Sequence, residues 1–210
     1  MAFAQELHAE TERVIRHAMR ILAVSDEENN TLWGAQVREL TRGTDLIISC
    51  GDLRREYLEY LLTMINAPLL YVYGNHDTTG PEGGLCIDGK ICVFCGVKFL
   101  GLGGCMRYRD SANMYTEAEM RRRLRRLRLS LWLKGGIDVL VTHAPAKGWG
   151  DLEDIAHSGF ETFGGIMTQY RPKLMLHGHV HMSYGRIKRE YVHTSGTRIM
   201  NVCGYKIVDI

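Results

Sequence analysis

Between residues 20 and 77 the sequence alternates three apolar runs of strand length with two segments of helical spacing, a pattern that calls for neighbouring parallel strands joined by crossover helices. The runs are Ile21-Leu22-Ala23-Val24, Leu46 to Cys50 and Leu69 to Tyr73. Leu32, Trp33, Gln36, Val37 and Leu40, and then Tyr57, Leu58, Leu61, Leu62 and Ile65, recur at the spacing of one helix face. The fold class that follows is α/β. Each run stops abruptly at polar residues: Ser25-Asp26-Glu27-Glu28, Gly51-Asp52 and Gly74-Asn75-His76-Asp77. Glycine permits the sharp turn there, and the C-terminal edge of such strands is where open α/β sheets bind ligands.

Two later strands end in the same way. Ile137 to Val141 closes with Thr142-His143-Ala144-Pro145, and Lys173 to Leu176 leads into His177-Gly178-His179-Val180-His181. Between the two halves, short strands near 85–88, 91–95 and 97–102 suggest a β-meander. Gly101, Gly103 and Gly104 lack the following Lys-Ser/Thr of a phosphate-cradling loop and are turn chemistry. Residues 116–133 predict the clearest helix, with Thr116 and Glu119 as a capping box and Met120, Leu124, Leu127 and Leu131 as its apolar stripe. Its other face carries Arg121, Arg122, Arg123, Arg125, Arg126 and Arg128. A further helix is expected near 160–170, and the β-forming tail 184–210 is expected to finish the second sheet. Leu7, Val14, Ile15 and Ala18 predict an amphipathic helix over 5–18, an N-terminal extension to a single domain spanning 1–210.

At 210 residues the chain can bury a core without disulfides or a structural metal, so a metal would imply function. A net charge of +2 announces neither a general nucleic-acid binder nor an acidic solvating protein. No run is long enough for a membrane span, and the first residues lack the apolar core of a signal peptide; the expectation is a cytoplasmic protein with no membrane partner. Six scattered cysteines fit reduced, buried thiols, and Cys92 and Cys95 fall on opposite faces of an expected strand rather than pairing on zinc.

Five strand ends therefore offer Asp26 with Glu28, Asp52, Asn75 with His76, His143, and His179 with His181. Carboxylates and imidazoles together suit Mn, Fe, Zn and related divalent ions. In that order, Asp26-x-Glu28, Gly51-Asp52, Gly74-Asn75-His76-Asp77, Thr142-His143 and Gly178-His179-Val180-His181 resemble the calcineurin-like metallophosphoesterase superfamily, across nearly the whole chain.

The resemblance implies a four-layer α/β/β/α sandwich of two mixed sheets, with two divalent metal ions at strand C-termini. Mn is favoured, with Fe, Zn, Mg or Ni as alternatives. It implies Asp26 and His181 as ligands of the first metal, Asn75, His143 and His179 as ligands of the second, and Asp52 as the bridge. His76 is the implied catalytic group, donating a proton to the leaving oxygen, with Asp77 orienting it. Glu28 stands where the family usually has histidine. It is expected to be a metal ligand that tilts the site toward harder ions, the other reading being that it points away and leaves the first site weak. Arg54, Arg55, Arg107 and Arg109 are further candidates for gripping phosphate, and His157 for the edge of the site.

The implied function is a metal-dependent phosphoesterase, cleaving a phosphomonoester or phosphodiester with a dimetal-activated water. Two other readings stand beside it. A binding scaffold with weakened or lost catalysis is motivated by Glu28, and a nuclease by the Arg121–Arg128 helix, although bulk charge does not favour nucleic acid.

Overall fold

The structure, a computed structural model, is described for residues 18–185 and 188–210, so the expected helix over 5–18 falls almost wholly outside the described residues. In chain order the elements are β1 (Arg20–Ser25), α1 (Asn30–Trp33), α2 (Val37–Leu40), β2 (Leu46–Ser49), α3 (Arg55–Ile65) and β3 (Leu69–Tyr71). There follow β4 (Leu85–Cys86), β5 (Lys90–Phe94), β6 (Val97–Leu102), β7 (Cys105–Met106), β8 (Met114–Tyr115), α4 (Glu117–Arg126), α5 (Arg128–Leu133) and β9 (Val139–Thr142). The chain closes with α6 (Glu161–Tyr170), β10 (Leu174–His177), β11 (Glu190–Val192), β12 (Arg198–Asn201) and β13 (Gly204–Asp209).

Two large sheets result. The first runs β13-β1-β2-β3-β4, parallel except for β13, which lies antiparallel on β1. The second runs β11-β12-β10-β9-β6-β5, with a parallel centre and antiparallel strands at both edges. Strand alternation then builds four layers. Ile21, Ala23, Ile48 and Leu70 meet Phe99, Val139, Val141, Leu174 and Leu176 between the sheets. Their neighbours Leu22, Val24, Ile47 and Leu69 face Leu32, Val37, Tyr57, Leu58 and Leu61 on the helices of the first outer layer. On the far side Leu100, Leu102, Leu140 and Met175 pack against Met120, Leu131, Phe163 and Ile166. Burial on both faces is why these strands read as continuous apolar runs rather than as alternating ones.

Local differences from the sequence reading are informative. The segment expected as a meander is divided between the sheets: β4 takes the open backbone edge of β3 in parallel, while β5 and β6 form an antiparallel hairpin in the second sheet. The tail is divided as well. After β12 in the second sheet, Gly204 adopts φ +75 and β13 crosses to pair with β1, tying the two sheets together. The helix expected over 116–133 has its capping box at Thr116 and Glu119, but Leu127 takes φ −94 and ψ −4 and separates α4 from α5. The helix expected over 32–40 is likewise split, because Gly34 is extended (φ −92, ψ 174).

Phe99 is fully buried where the two sheets meet. Phe99→Ala should cost about 3–5 kcal/mol of unfolding free energy in a denaturant titration, through lost burial and the cavity left behind.

Candidate functional site

The C-terminal ends of β1, β2, β3, β9 and β10 come together at one end of the sandwich. Asp26 and Asp52 follow β1 and β2, and the Asp26 amide donates to Gly51 O at 3.1 Å, joining the two turns. Asp26 (φ +62), Asp52 (φ +57) and His179 (φ +68) all hold left-handed backbone, which costs energy for residues with a Cβ and clusters where side-chain direction matters. Gly74 and Gly178 make room for them. A methyl group on Gly74 would collide with the Asp52 carboxylate, and one on Gly178 with that of Asp26.

The centre of the cluster is the Nε2 atom of His143. Its ring is fully buried, and Nδ1 sits 2.8 Å from Cys50 O, an acceptor only, so Nδ1 carries a proton and donates. Nε2 then faces Asn75 Oδ1 at 3.0 Å, His179 Nδ1 at 3.1 Å and Asp52 Oδ2 at 3.3 Å. His179 is fixed in the mirror sense, with Nε2–H donating to Ala156 O at 2.7 Å and the Nδ1 lone pair turned inward. Backbone carbonyls that hold the outer N–H of an imidazole are the usual outer support of a metal-ligating histidine.

Burial resists the charge on Asp52, yet His143 and the His76 amide, which donates to Oδ1 at 2.8 Å, hold its carboxyl down at about 2. Burial also opposes a charge on His143, but Asp52 and Asp26 outweigh it and lift its pKa to about 9. His179 is pushed down to about 3 by burial and by the neighbouring His143. Asp26 is raised by burial and, more weakly, by Asp52. The positive charge of His143 thus lies between two carboxylates and favours the ionised form of both.

Asp26 accepts the His179 amide on both oxygens, at 3.0 and 2.9 Å, and its Oδ1 lies 4.0 Å from His181 Nε2. His181 is aimed from behind by Glu27, whose Oε1 is 3.0 Å from Nδ1. Sequence reasoning passed over Glu27; its position beside Asp26 was the only signal. Glu28, expected as a ligand, is not brought to the cluster. Its carboxylate accepts from Arg54 Nε at 2.7 Å, Arg54 Nη2 at 2.6 Å and Trp33 Nε1 at 3.0 Å, clamping the turn after β1 to the start of α3. Cys203 was also missed. Ligand atoms of Glu27, His181 and Cys203 lie within 4.8 Å of one another, but burial and the nearby Asp26 push the thiol up to about 12, so it is neutral.

The remaining candidates separate clearly. The His76 imidazole is exposed on the turn that carries Asn75. Asp77, expected to orient it, instead accepts the amides of Asp52 and Gly74 at 2.9 and 2.7 Å and so fixes both ligand turns. Arg54 is engaged by Glu28, and Arg55 by Glu59 and Glu82. Arg107 holds Met114 O and Glu119, while Arg109 stacks on Tyr108. His157 packs its ring 5.2 Å from that of His179 and bonds Asp154, at the rim of the cluster. His177, first of the three histidines in its segment, is fully buried and pushed down to about 4 by burial and by His143. It is a neutral packing group apart from the cluster.

The donor set fits divalent cations. Donors each about 2.1 Å from one centre are separated by about 3.0–3.4 Å, the spacing seen around His143 Nε2. A cation would also offset the negative charge of the two neighbouring carboxylates. Holding divalent cations, a site of this chemistry would orient and neutralise an anionic substrate such as a phosphate.

Comparison with known proteins bears on family and fold. A family model described as the calcineurin-like phosphoesterase superfamily domain matches residues 19–203. One solved structure superposes with a TM-score of 0.67 at 14% identity, covering 91% of this chain and 95% of its own. A second, TT1561 of Thermus thermophilus, superposes with a TM-score of 0.61 at 15% identity, covering 91% and 94%. The sequence matches no curated protein.

The Glu28 pair makes a pH-dependent contribution to stability. Arg54 and the Trp33 N–H hold the Glu28 carboxyl below its usual 4.5. Because the folded-state value is depressed, the stabilisation is complete above the unfolded-state value and disappears as pH falls through the folded one. Thermal melts of the native chain and of Glu28→Gln should therefore differ at pH 7 and converge in acid.

Proposed function

The chain belongs to the calcineurin-like phosphoesterase superfamily, and from that premise we propose that it hydrolyses a phosphomonoester or phosphodiester at a centre of two divalent metal ions. The observation that carries the reading is the ring of donors 3.0 to 3.3 Å from His143 Nε2, with the largely buried side chains of Asp52 and Asp26 beside it. Asp26 and His181 would hold the first cation, Asn75, His143 and His179 the second, and Asp52 both. Glu28 is left out of this set because Arg54 and Trp33 already occupy its oxygens. Mn suits such a mixture of oxygen and imidazole ligands, as do Fe and Zn.

Bound there, the cations would supply Lewis acidity toward phosphate oxygens and water. The chain's own groups do the rest. Cys50 O and Ala156 O hold the outer N–H groups of His143 and His179, so the inner nitrogens are the ones turned toward a cation, which would take the place of the Nε2 proton of His143. Asp77 locks the Asp52 and Gly74 amides and thereby sets the direction of Asp52 and Asn75. Glu27 orients His181. His76, exposed on the same rigid turn, can reach the leaving-group oxygen of a bound ester and give it a proton as the P–O bond breaks. This role calls for mobility of the imidazole and rigidity of its backbone, which the His76 amide secures by donating to Asp52 Oδ1.

Purified protein supplied with Mn should turn over a generic aryl phosphate monoester or diester, and inactivity on both classes would exclude the reading. His76→Ala should lower kcat by about a hundredfold to ten-thousandfold with bound metal unchanged, as expected of a lost general acid. Metal analysis should find Asp52→Asn depleted and Glu28→Gln at native stoichiometry. Full partner-independent folding without metal uptake in the native chain would instead favour the scaffold.

A further inference from the structure

The outward face of α4 and α5 carries charge and apolar area that hydrolysis does not use. Met120, Leu124, Leu127 and Leu131 turn inward against the second sheet's helical layer. Outward, Arg122, Arg125, Arg126, Leu129, Trp132 and Leu133 recur at spacings of three and four and form one stripe down the helix pair. Its C-terminal end is strongly exposed, at 67% for Leu129, 76% for Trp132 and 68% for Leu133. Single exposed leucines are ordinary on a protein surface, but three large apolar side chains on adjacent turns of one face form a patch.

The charge is as lopsided as the hydrophobicity. Residues 121–137 contain seven cations and no acid, in a chain whose net charge is +2, so the rest of the molecule is net negative. At the N-terminal end of the stripe, Arg107, Arg122, Arg123 and Arg126 line a cavity of about 180 Å³ with Tyr115 and Glu119. Arg123 is held by Asp88 at 2.5 Å and lies over the Tyr115 ring, and Arg107 is paired with Glu119 at 3.0 Å. Arg122 and Arg126 have no ion-pair partner among the described residues. The cavity thus has a largely cationic wall, two of its guanidinium groups anchored and two unmatched. At the other end, Lys98 Nζ caps the helix pair by donating to Lys134 O at 3.1 Å, adding cations beside Trp132 and Leu133.

We propose that this face docks the protein peripherally on an anionic phospholipid surface. The arginine-lined cavity receives a headgroup phosphate, while Leu129, Trp132 and Leu133 enter the interface between headgroups and acyl chains. An anionic phospholipid presents both chemistries together, phosphate above hydrocarbon. A nucleic acid would satisfy the arginines and leave the leucines in water, and an apolar partner would strand the arginines. Basic residues beside exposed Trp and Leu are the composition of interfacial helices, which lie on a membrane rather than cross it. Among the described residues no helix is long and apolar enough to cross one. The expectation of no membrane partner rested on the length of apolar runs and the composition of the first residues, neither of which registers a surface patch.

The test uses the full chain sedimented with vesicles of phosphatidylcholine alone or mixed with phosphatidylglycerol. The protein should pellet with the mixed vesicles and not with phosphatidylcholine, with a blue shift of tryptophan emission that Trp132→Ser abolishes. Leu129→Ser with Leu133→Ser, and separately Arg122→Glu with Arg126→Glu, should each weaken binding by about tenfold or more. Because these side chains are exposed, circular dichroism and turnover of a water-soluble aryl phosphate should be unchanged in both variants. The vesicle readout is independent of catalysis, so its failure and that of the phosphoesterase reading are distinct. Failure to bind the mixed vesicles, equal binding to both kinds, or binding unaffected by the variants would overturn the proposal. So would a stripe that captures an oligonucleotide, or pairs with a second copy, and ignores the vesicles.

Discussion

Two largely buried carboxylates set around the buried His143 are the constraint around which one end of this molecule is built. Burial opposes the charge on Asp26 and on Asp52, and Asp52 further opposes that on Asp26. What holds them is backbone. Left-handed φ angles at both residues turn the side chains inward, and the glycines at 74 and 178 leave the space they occupy. The amides of His76 and His179 then meet them as donors. The strain is local and is sustained by the four-layer core beneath it, which continues directly into the strands that end at the site.

Support around the cluster follows one principle, in which every inward-facing donor is oriented by a partner behind it. Cys50 O serves His143, Ala156 O serves His179, Glu27 serves His181, and Asp77 serves the turns of Asp52 and Asn75. Glu28 belongs to the same scaffolding in a different way, by binding Arg54 and fastening the first strand end to the helix that follows the second. The outer face of α4 and α5 contrasts with this economy. Arg122, Arg126 and the exposed apolar residues on it have no internal partner among the described residues, and its inward stripe accounts for its place in the fold.

Much of the fold was legible because doubly buried parallel strands must be continuously apolar, and because the helices between them repeat at a helical period. The capping box at Thr116 and Glu119 is a local signal and was readable as such. The division of the middle segment and of the tail between two sheets was not. Pairing partners are chosen by whichever edge is open once other strands have packed, and no residue in Leu85–Cys86 or Gly204–Asp209 encodes that choice by itself. In the site, the strand-end residues could be collected from sequence because each lies just past an apolar run. Which of Glu27 and Glu28 serves the cluster is decided by distant partners, His181 for the first and Arg54 with Trp33 for the second, and adjacent positions in the sequence do not distinguish them.

By itself the sequence determined the inventory: strands, crossover helices, and acids, amide and histidines placed at strand ends, since these depend on residue type and short-range periodicity. Tertiary structure alone decided which of those groups meet. Asp26 and His179 are separated by 153 residues and Asp52 and His143 by 91, yet they sit at hydrogen-bonding or ion-pair distance. That proximity arises from packing one sheet's C-terminal edge against the other's, a contact that no local pattern specifies.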